Sequence, residues 1–317
     1  MTFKESVTLE IKSFHIQNDC CKRAFLSAVV KSYGTVEIEK NSRYLKITTG
    51  DLQVAEKVAF LVKQLYLSEV EIEKSKVKGG VKSGEDVYFV KLPQGLTLDV
   101  LTECGLMQAD GDSFSSFVRG ISPELVKNTC CAKAYLKGLF LTAGSIYVPQ
   151  TTEGSHGGYH VEFQVADEKE AEDIKALLER FGLNFKVAQR GVNNIVYAKD
   201  KDVLLSFLAT LSLTDAALEL KKIIADRELN NSINRGVICE AANLDKTFEA
   251  AAKQILTIQK IEEESGLDSL GAPLKEVALS RLNNPTASMS ELAELIGISK
   301  SCLAHRLRKI MKIGEDD

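Results

Sequence analysis

The sequence predicts an α+β fold in two parts, a pseudo-symmetric duplicated domain followed by an all-α domain. Three observations carry this. The first two-thirds of the chain repeat themselves at a fixed offset. Within each copy, helix-spaced and strand-alternating apolar patterns succeed one another, and beyond about Leu213 the periodicity is helical only. The repeat is clearest at two cysteine pairs. Asn18-Asp19-Cys20-Cys21-Lys22-Arg23-Ala24-Phe25-Leu26 runs on to Gly34-Thr35-Val36. Asn128-Thr129-Cys130-Cys131-Ala132-Lys133-Ala134-Tyr135-Leu136 runs on to Gly144-Ser145-Ile146, at an offset of 110 throughout (128 − 18 = 144 − 34). Past a short insertion the offset becomes 116 and aligns Asp51 with Asp167, Ala55 with Ala171, Leu61 with Leu177 and Leu67 with Leu183.

The elements follow in the same order in each copy. A strand-like stretch, Val7 to Ile11, opens the first copy, and a helix starting at each Cys-Cys pair ends at Gly34 or Gly144, where a sharp turn is expected. Alternating strands follow: Thr35 to Glu39 and Tyr44 to Thr48 in one copy, Ser145 to Val148 and His160 to Gln164 in the other. Asp51 and Asp167 stand as N-caps of amphipathic helices with stripes Val54, Val58, Leu61, Leu65 and Ile174, Leu177, Leu178, Phe181. Further strands (Glu69 to Glu73, Asp86 to Leu92; Asn184 to Ala188, Asn194 to Ala198) and a closing helix complete each unit. The second copy carries a Gly-rich hairpin tip around His156. The expected domains are therefore 1–213 (repeats about 1–110 and 120–213), a helical connector 214–268, and a C-terminal domain 269–317. In the connector, Ala216 to Asn230 and Leu244 to Glu264 read as separate helices, the second striped by Leu244, Phe248, Ala251, Ile255, Ile258 and Ile261. Arg235 and Asn243 read as polar fasteners to a neighbouring domain.

Composition narrows the function classes. The net charge of −4 argues against a generally basic nucleic-acid binder, so any basic surface is local. Seven cysteines without scaffold spacing, no apolar leader and no apolar run of membrane length point to a reducing cytoplasm. If the two repeat helices pair about a dyad, the vicinal pairs Cys20-Cys21 and Cys130-Cys131 could bring four thiols together, a set that suits zinc or an iron–sulfur cluster. They read instead as small packing residues, because metal sites favour Cys-x-x-Cys and one member of a vicinal helical pair turns away from the other. No metal and no cofactor is expected. His156 reads as part of a hairpin tip rather than a ligand.

The C-terminal module is where the sequence is most specific. Pro273 fits the first turn of a helix to Leu282, stopped by Asn283-Asn284-Pro285. Ser288-Met289-Ser290-Glu291 is a capping box opening a short helix, Ala293 allows a close helix crossing, Gly297 allows the turn, and Ser299 caps a last helix, Lys300 to Lys312. Ile298, Leu303 and Leu307 fill the wedge. This is helix-turn-helix grammar. From Lys275 to Lys312 the cations Lys275, Arg281, Lys300, Arg306, Arg308, Lys309 and Lys312 outnumber Glu276, Glu291 and Glu294 (7 − 3 = +4). Lys300, Ser301 and His305 are placed to reach base edges of double-stranded DNA, and Arg306, Arg308, Lys309 and Lys312 to reach phosphates, with Ser299 completing the candidate DNA-binding set.

The repeat helices resemble the LAGLIDADG motif of homing endonucleases at Leu136-Lys137-Gly138-Leu139-Phe140-Leu141-Thr142-Ala143-Gly144, and more degenerately at Leu26-Ser27-Ala28-Val29-Val30-Lys31-Ser32-Tyr33-Gly34. The resemblance implies two helices side by side at a pseudo-dyad, packed through small residues such as Ala28 and Gly138, with sheets forming a saddle. It also implies an acid just before each terminal glycine to hold the catalytic cation. Tyr33 and Ala143 stand there instead, and Thr35 and Ser145 offer no replacement, so cleavage is expected to be lost and the chain not to be an enzyme.

Lost acids together with a C-terminal helix-turn-helix resemble the WhiA family of Gram-positive bacteria, as do Asn234-Arg235, Cys239-Glu240-Ala241-Ala242-Asn243, Lys246 and Ala251-Ala252-Lys253-Gln254. The resemblance implies a nucleoid-associated DNA-binding regulator of cell division, chromosome segregation or sporulation-type transcription. Two alternatives stay open: a protein-interaction adaptor of the division machinery, and an active endonuclease. The N-terminal domain is basic at Lys74, Lys76, Lys78 and Lys82 but acidic at Asp167, Glu168, Glu170, Glu172 and Asp173, which leaves either DNA or a protein partner as its target.

Overall fold

The computed structural model describes residues 1–39, 42–77, 84–110, 113–149 and 157–316. Two compact units divide the chain, Met1–Arg227 and Glu228–Asp317. The first unit begins with α1 (Phe3–Ser13), α2 (Asp19–Tyr33), β1 (Gly34–Glu39), β2 (Ser42–Thr49), α3 (Leu52–Tyr66), β3 (Ile72–Lys76), β4 (Asp86–Lys91) and α4 (Gln94–Glu103). A hairpin of β5 (Met107–Asp110) and β6 (Ser113–Phe117) follows. The second copy then runs α5 (Thr129–Ala143), β7 (Gly144–Tyr147), β8 (His160–Val165), α6 (Glu168–Glu179), β9 (Lys186–Arg190), β10 (Asn193–Ala198) and α7 (Lys201–Thr210). The duplication is explicit in the topology: the two antiparallel sheets have the orders β1-β2-β4-β3 and β7-β8-β10-β9.

The helices α2 and α5 form the seam between the copies. Three contacts along it join a residue to its own repeat counterpart, 110 positions away: Cys21 Sγ to Cys131 Sγ at 3.9 Å, Ala28 to Gly138, and Ser32 Oγ to Thr142 Oγ1 at 2.9 Å. Contacts at both ends and the middle mean that the helices run parallel on a pseudo-twofold axis. Gly138 is required by space, since a Cβ there would lie 2.5 Å from the Phe25 carbonyl oxygen and 3.2 Å from the Ala28 Cβ. The small-residue expectation at Ala28 and Gly138 therefore holds. The sheets wrap apolar faces onto this pair, and the copies fill the space differently. Phe140 and Phe163 pack edge-on at 6.2 Å, with Phe163 and Phe207 at 5.8 Å, where the first copy has the aliphatic Val30 and Ile47.

Local chemistry explains the element ends. Asp51 Oδ1 accepts from the backbone N–H groups of Gln53 and Val54, and Asp167 Oδ1 from that of Glu170, so both expected N-caps are made. Two expectations change. Residues Val7 to Ile11 lie in a helix, not a strand: Thr2 and Glu5 close a capping box, and Val7 and Ile11, one turn apart, are both fully buried. Gly34 and Gly144 do not turn the chain through a left-handed conformation, because their φ values are −82° and −86°. They lead straight into β1 and β7, and a Cβ would strike the carbonyl oxygens of Val30 at 2.4 Å and Phe140 at 2.6 Å. The glycines are there for room.

Beyond α7 the two expected connector helices are one, α8 (Thr214–Glu264). Its start packs into the first unit through Ala216 and Leu220, and its end into the second through Ile258 and Ile261. Leu244 and Phe248, expected in the same apolar stripe, are exposed at 55% and 43%. Among the described residues Arg235 and Asn243 bond only within their own helix: Arg235 donates to Asn231 O, Asn243 to Cys239 Sγ, and both are exposed. The second unit continues with a 3-10 turn (Leu267–Leu270), then α9 (Ala272–Asn283), α10 (Met289–Ile296) and α11 (Lys300–Asp316). Among the described residues no helix is long and apolar enough to cross a membrane.

Candidate nucleic-acid interface

The second unit builds its site from a small core. Val277, Ala278, Leu292, Ala293, Leu303, Leu307 and Ile310 are buried together, and Ile298 packs against them half-buried. The capping box is complete: Ser288 Oγ accepts from the Glu291 N–H at 3.3 Å, and Glu291 accepts from the Ser288 N–H at 2.7 Å. The Ser288 N–H bond to the Glu291 carboxyl holds that group below its ordinary pKa, since it favours the charged form. Ser288→Ala is expected to lower the stability of this unit by about 1 kcal/mol, read by thermal melting. Gly297 ends α10 at φ 71°, a left-handed conformation, and the Ile298 N–H donates to Ala293 O at 3.0 Å. Ser299 Oγ then accepts from the Cys302 N–H at 3.2 Å and opens α11.

On α11, Ser301, His305, Arg308, Lys309 and Lys312 are all exposed at helical spacing, so they share the face opposite buried Leu303, Leu307 and Ile310. Lys300 is exposed at the helix start. Among the described residues none of Lys300, Arg308, Lys309 and Lys312 is in an ion pair; Arg308 only touches its own helix at Ala304 O. Three of the seven cations counted in the sequence lie elsewhere. Arg306 is half-buried on the flank toward α9, 3.6 Å from Glu276 and donating to Pro273 O at 3.4 Å, apart from the face of Ser301, His305, Arg308, Lys309 and Lys312. Lys275 pairs with Asp268. Arg281 is 2% exposed and donates to Ala287 O at 2.6 Å, bracing the 284–289 turn; burial pushes its pKa down. Ser299 spends its oxygen on the cap and on Ser301 Oγ at 3.1 Å. Arg281→Ala is expected to cost about 1–2 kcal/mol, because a part-buried carbonyl loses a charged donor, and to weaken DNA binding only through that loss of stability; urea titration beside a binding curve separates the two effects.

The first unit offers a less suitable surface for phosphate. On its first sheet Lys46 pairs with Glu37 at 3.0 Å, Lys91 with Glu39 at 2.8 Å and Lys74 with Asp86 at 2.8 Å. On the second, Glu162 holds His160 at 2.7 Å and Arg190 at 3.9 Å. Lys78, Lys82 and His156 lie outside the described residues. The acids of α6 are partly structural: Asp167 is a cap, Glu170 is buried 3.8 Å from Lys31, and Asp173 accepts from the Ile121 N–H at 2.9 Å. At the seam's lower end, Tyr33 Oη reaches Thr142 O at 3.5 Å, and burial raises the phenol's pKa, with a further push from Asp51. Among the described residues no group of three or more carboxylate, His or Cys ligands gathers there; the one such group is the four cysteines at the seam's other end.

With this geometry the comparisons fall into place. Residues 19–107 match the WhiA N-terminal LAGLIDADG-like domain, 132–230 the WhiA LAGLIDADG-like domain, and 233–314 the WhiA C-terminal HTH domain. The "Probable cell division protein WhiA" of Desulfitobacterium hafniense (strain Y51) is 36% identical over 318 positions, covering 99% of this chain and 96% of that protein. The chain belongs to the WhiA family. A second WhiA relative, also called "Probable cell division protein WhiA", from Geobacillus thermodenitrificans, is 35% identical over 99% of this chain and 94% of its own length. The crystal structure of full-length DUF199/WhiA from Thermatoga maritima matches 100% of this chain and 99% of its own, with a TM-score of 0.55 at 22% identity, and so shares the WhiA fold. The α+β class, with paired LAGLIDADG-like domains and a C-terminal HTH domain, is thereby established.

Proposed function

We propose that the chain is a non-catalytic DNA-binding regulator of cell division or chromosome segregation, working in the cytoplasm at the nucleoid. The observation that carries this reading is the basic face of α11, exposed and without ion pairs among the described residues, on a capped helix-turn-helix. In this reading α11 enters the major groove of double-stranded DNA. Lys300, Ser301 and His305 lie over base edges, and Arg308, Lys309 and Lys312 bind phosphates. Arg306 and Ser299 support the helix rather than touch DNA, consistent with their bonds to Glu276 and to the Cys302 N–H. The cell-division assignment draws on the names of the relatives above.

Loss of catalysis is supported by Tyr33 and Ala143, a phenol and a methyl group where a cation needs carboxylates. The ion-paired sheets of the first unit favour a protein partner over phosphate as its target. Incubating the full-length protein with plasmid and genomic fragments across a salt series, with Mg²⁺ present, tests the reading. Steeply salt-dependent binding with the DNA left intact is the expected result. Cleaved DNA, or binding indifferent to salt, would overturn it, and absence of binding would favour the adaptor reading.

A further inference from the structure

The four cysteines at the upper end of the seam take no part in the proposed regulatory function. Cys20 and Cys21 are the second and third residues of α2, and Cys130 and Cys131 hold the same places in α5. Parallel packing sets the two first turns side by side. All four Sγ atoms lie within 4.8 Å of one another, with Cys21 and Cys131 at 3.9 Å and Cys130 and Cys131 at 4.0 Å. The expectation of packing residues is met by Cys21 and Cys131, which are 6% and 2% exposed, but Cys20 and Cys130 are exposed and still converge on them.

We propose that Cys20, Cys21, Cys130 and Cys131 form a tetrathiolate site for a thiophilic d¹⁰ cation, zinc foremost, that staples the two repeats at their seam. The spacing supports this. A tetrahedral ion with metal–sulfur bonds of about 2.3 Å keeps its sulfurs about 3.8 Å apart, so the sulfurs need only small side-chain rotations to close on it. Symmetry agrees, because the pseudo-twofold axis relates Cys20 to Cys130 and Cys21 to Cys131, and a tetrahedron contains such an axis. Burial pushes the Cys21 and Cys131 thiols up, and the helix ends work against that. Four thiolates around a divalent ion leave two negative charges, and these face the N-terminal ends of two helices whose Asn18 and Asn128 caps make no side-chain hydrogen bond. The two buried sulfurs form a floor, and the two exposed ones leave a mouth for the ion to enter.

An iron–sulfur core would spread its cysteine ligands wider than this cluster does. A disulfide within a vicinal pair is disfavoured, because consecutive Cα atoms lie about 3.8 Å apart and disulfides usually span about 4.4–6.8 Å. Four protein ligands leave no open coordination position, so the site is structural: it joins residues 110 apart and contributes to holding the fold.

The test uses full-length protein, reduced, stripped with chelator and titrated with Co²⁺. The expected result is one Co²⁺ per chain, with the intense visible bands and thiolate charge-transfer bands of a tetrahedral sulfur site, displaced by Zn²⁺. Cys20→Ser combined with Cys130→Ser changes two exposed positions and should keep the far-UV circular dichroism while weakening Co²⁺ binding roughly a hundredfold or more. Cys239→Ser and Cys302→Ser should leave the bands unchanged. Zn²⁺ should raise the melting temperature of the unaltered protein and not of the double variant. The proposal is overturned if the unaltered protein gives no bands, if the double variant gives the same bands, or if peptide mapping of untreated protein finds Cys21 and Cys131 joined as a disulfide.

Discussion

Replacing Arg308, Lys309 and Lys312 together by alanine is expected to weaken DNA binding roughly a hundredfold at about 0.15 M salt and to flatten its salt dependence by about 2.7 log units per decade. Both figures have one origin. Each phosphate neutralised by a cation releases a bound counterion, and the slope of log affinity against log salt changes by about 0.9 per contact. The inverse of that salt concentration, raised to the power of about 2.7, gives a loss of roughly a hundredfold. These side chains are exposed on one face and are in no ion pair among the described residues, so their removal leaves no buried partner unsatisfied and should not unfold the unit. Arg306→Ala is the informative contrast. It breaks the contacts with Glu276 and Pro273 O, so it should change the melting temperature slightly and leave the salt slope nearly unaltered. A full slope retained in the triple variant would move the phosphate contacts off α11.

Gly138→Val is expected to destabilise the first unit by about 3 kcal/mol, the upper part of the usual range for overpacking, measured by urea unfolding of the full-length protein. The obstacle is backbone: the new Cβ would sit 2.5 Å from the Phe25 carbonyl oxygen, so no side-chain rotation relieves it. Either α2 and α5 separate, which opens gaps beside Cys21, Cys131, Ser32 and Thr142, or the helices deform. Gly95→Ala serves as the control. Gly95 lies in α4 with open space around its missing Cβ, so alanine there should be neutral or slightly stabilising through helix propensity. Comparable losses in both variants would show that the seam is looser than its distances imply.

Much of this was legible in the sequence, and the reasons for the rest are physical. Caps are local, so Asp51, Asp167, Ser288, Gly297 and Ser299 could be read directly and are found in those roles. The repeat offset exposed the small residues of the seam, because Ala28 and Gly138 are counterparts. The failures have more than one cause. Val7 to Ile11 alternate well enough for a strand, and only the Thr2–Glu5 capping box and burial on one helix face decide otherwise. Arg281 and Arg306 look like surface cations until Ala287 O and Glu276 are seen beside them, although the 301, 305, 308, 309, 312 spacing already set Arg306 off that face. The hairpin β5–β6 and the 3-10 turn at Leu267–Leu270 gave no strong periodicity. The convergence of the four thiols was foreseeable from two helices paired about a dyad, but neither pair has metal-ligand spacing alone, and that spacing favoured packing until the fold brought the two halves together.

The counterpart contacts along α2 and α5 also bear on stoichiometry. In a homodimer built on such helices, the self-complementary surface is shared by two chains. Here one chain supplies both sides, and unequal residues have been free to settle on the axis, alanine against glycine and serine against threonine. That surface is spent within the molecule and cannot recruit a second copy. Two recognition helices set one DNA turn apart would have to be brought together by some other face. A chain acting alone carries one recognition helix, and the footprint it leaves should lack inverted-repeat symmetry.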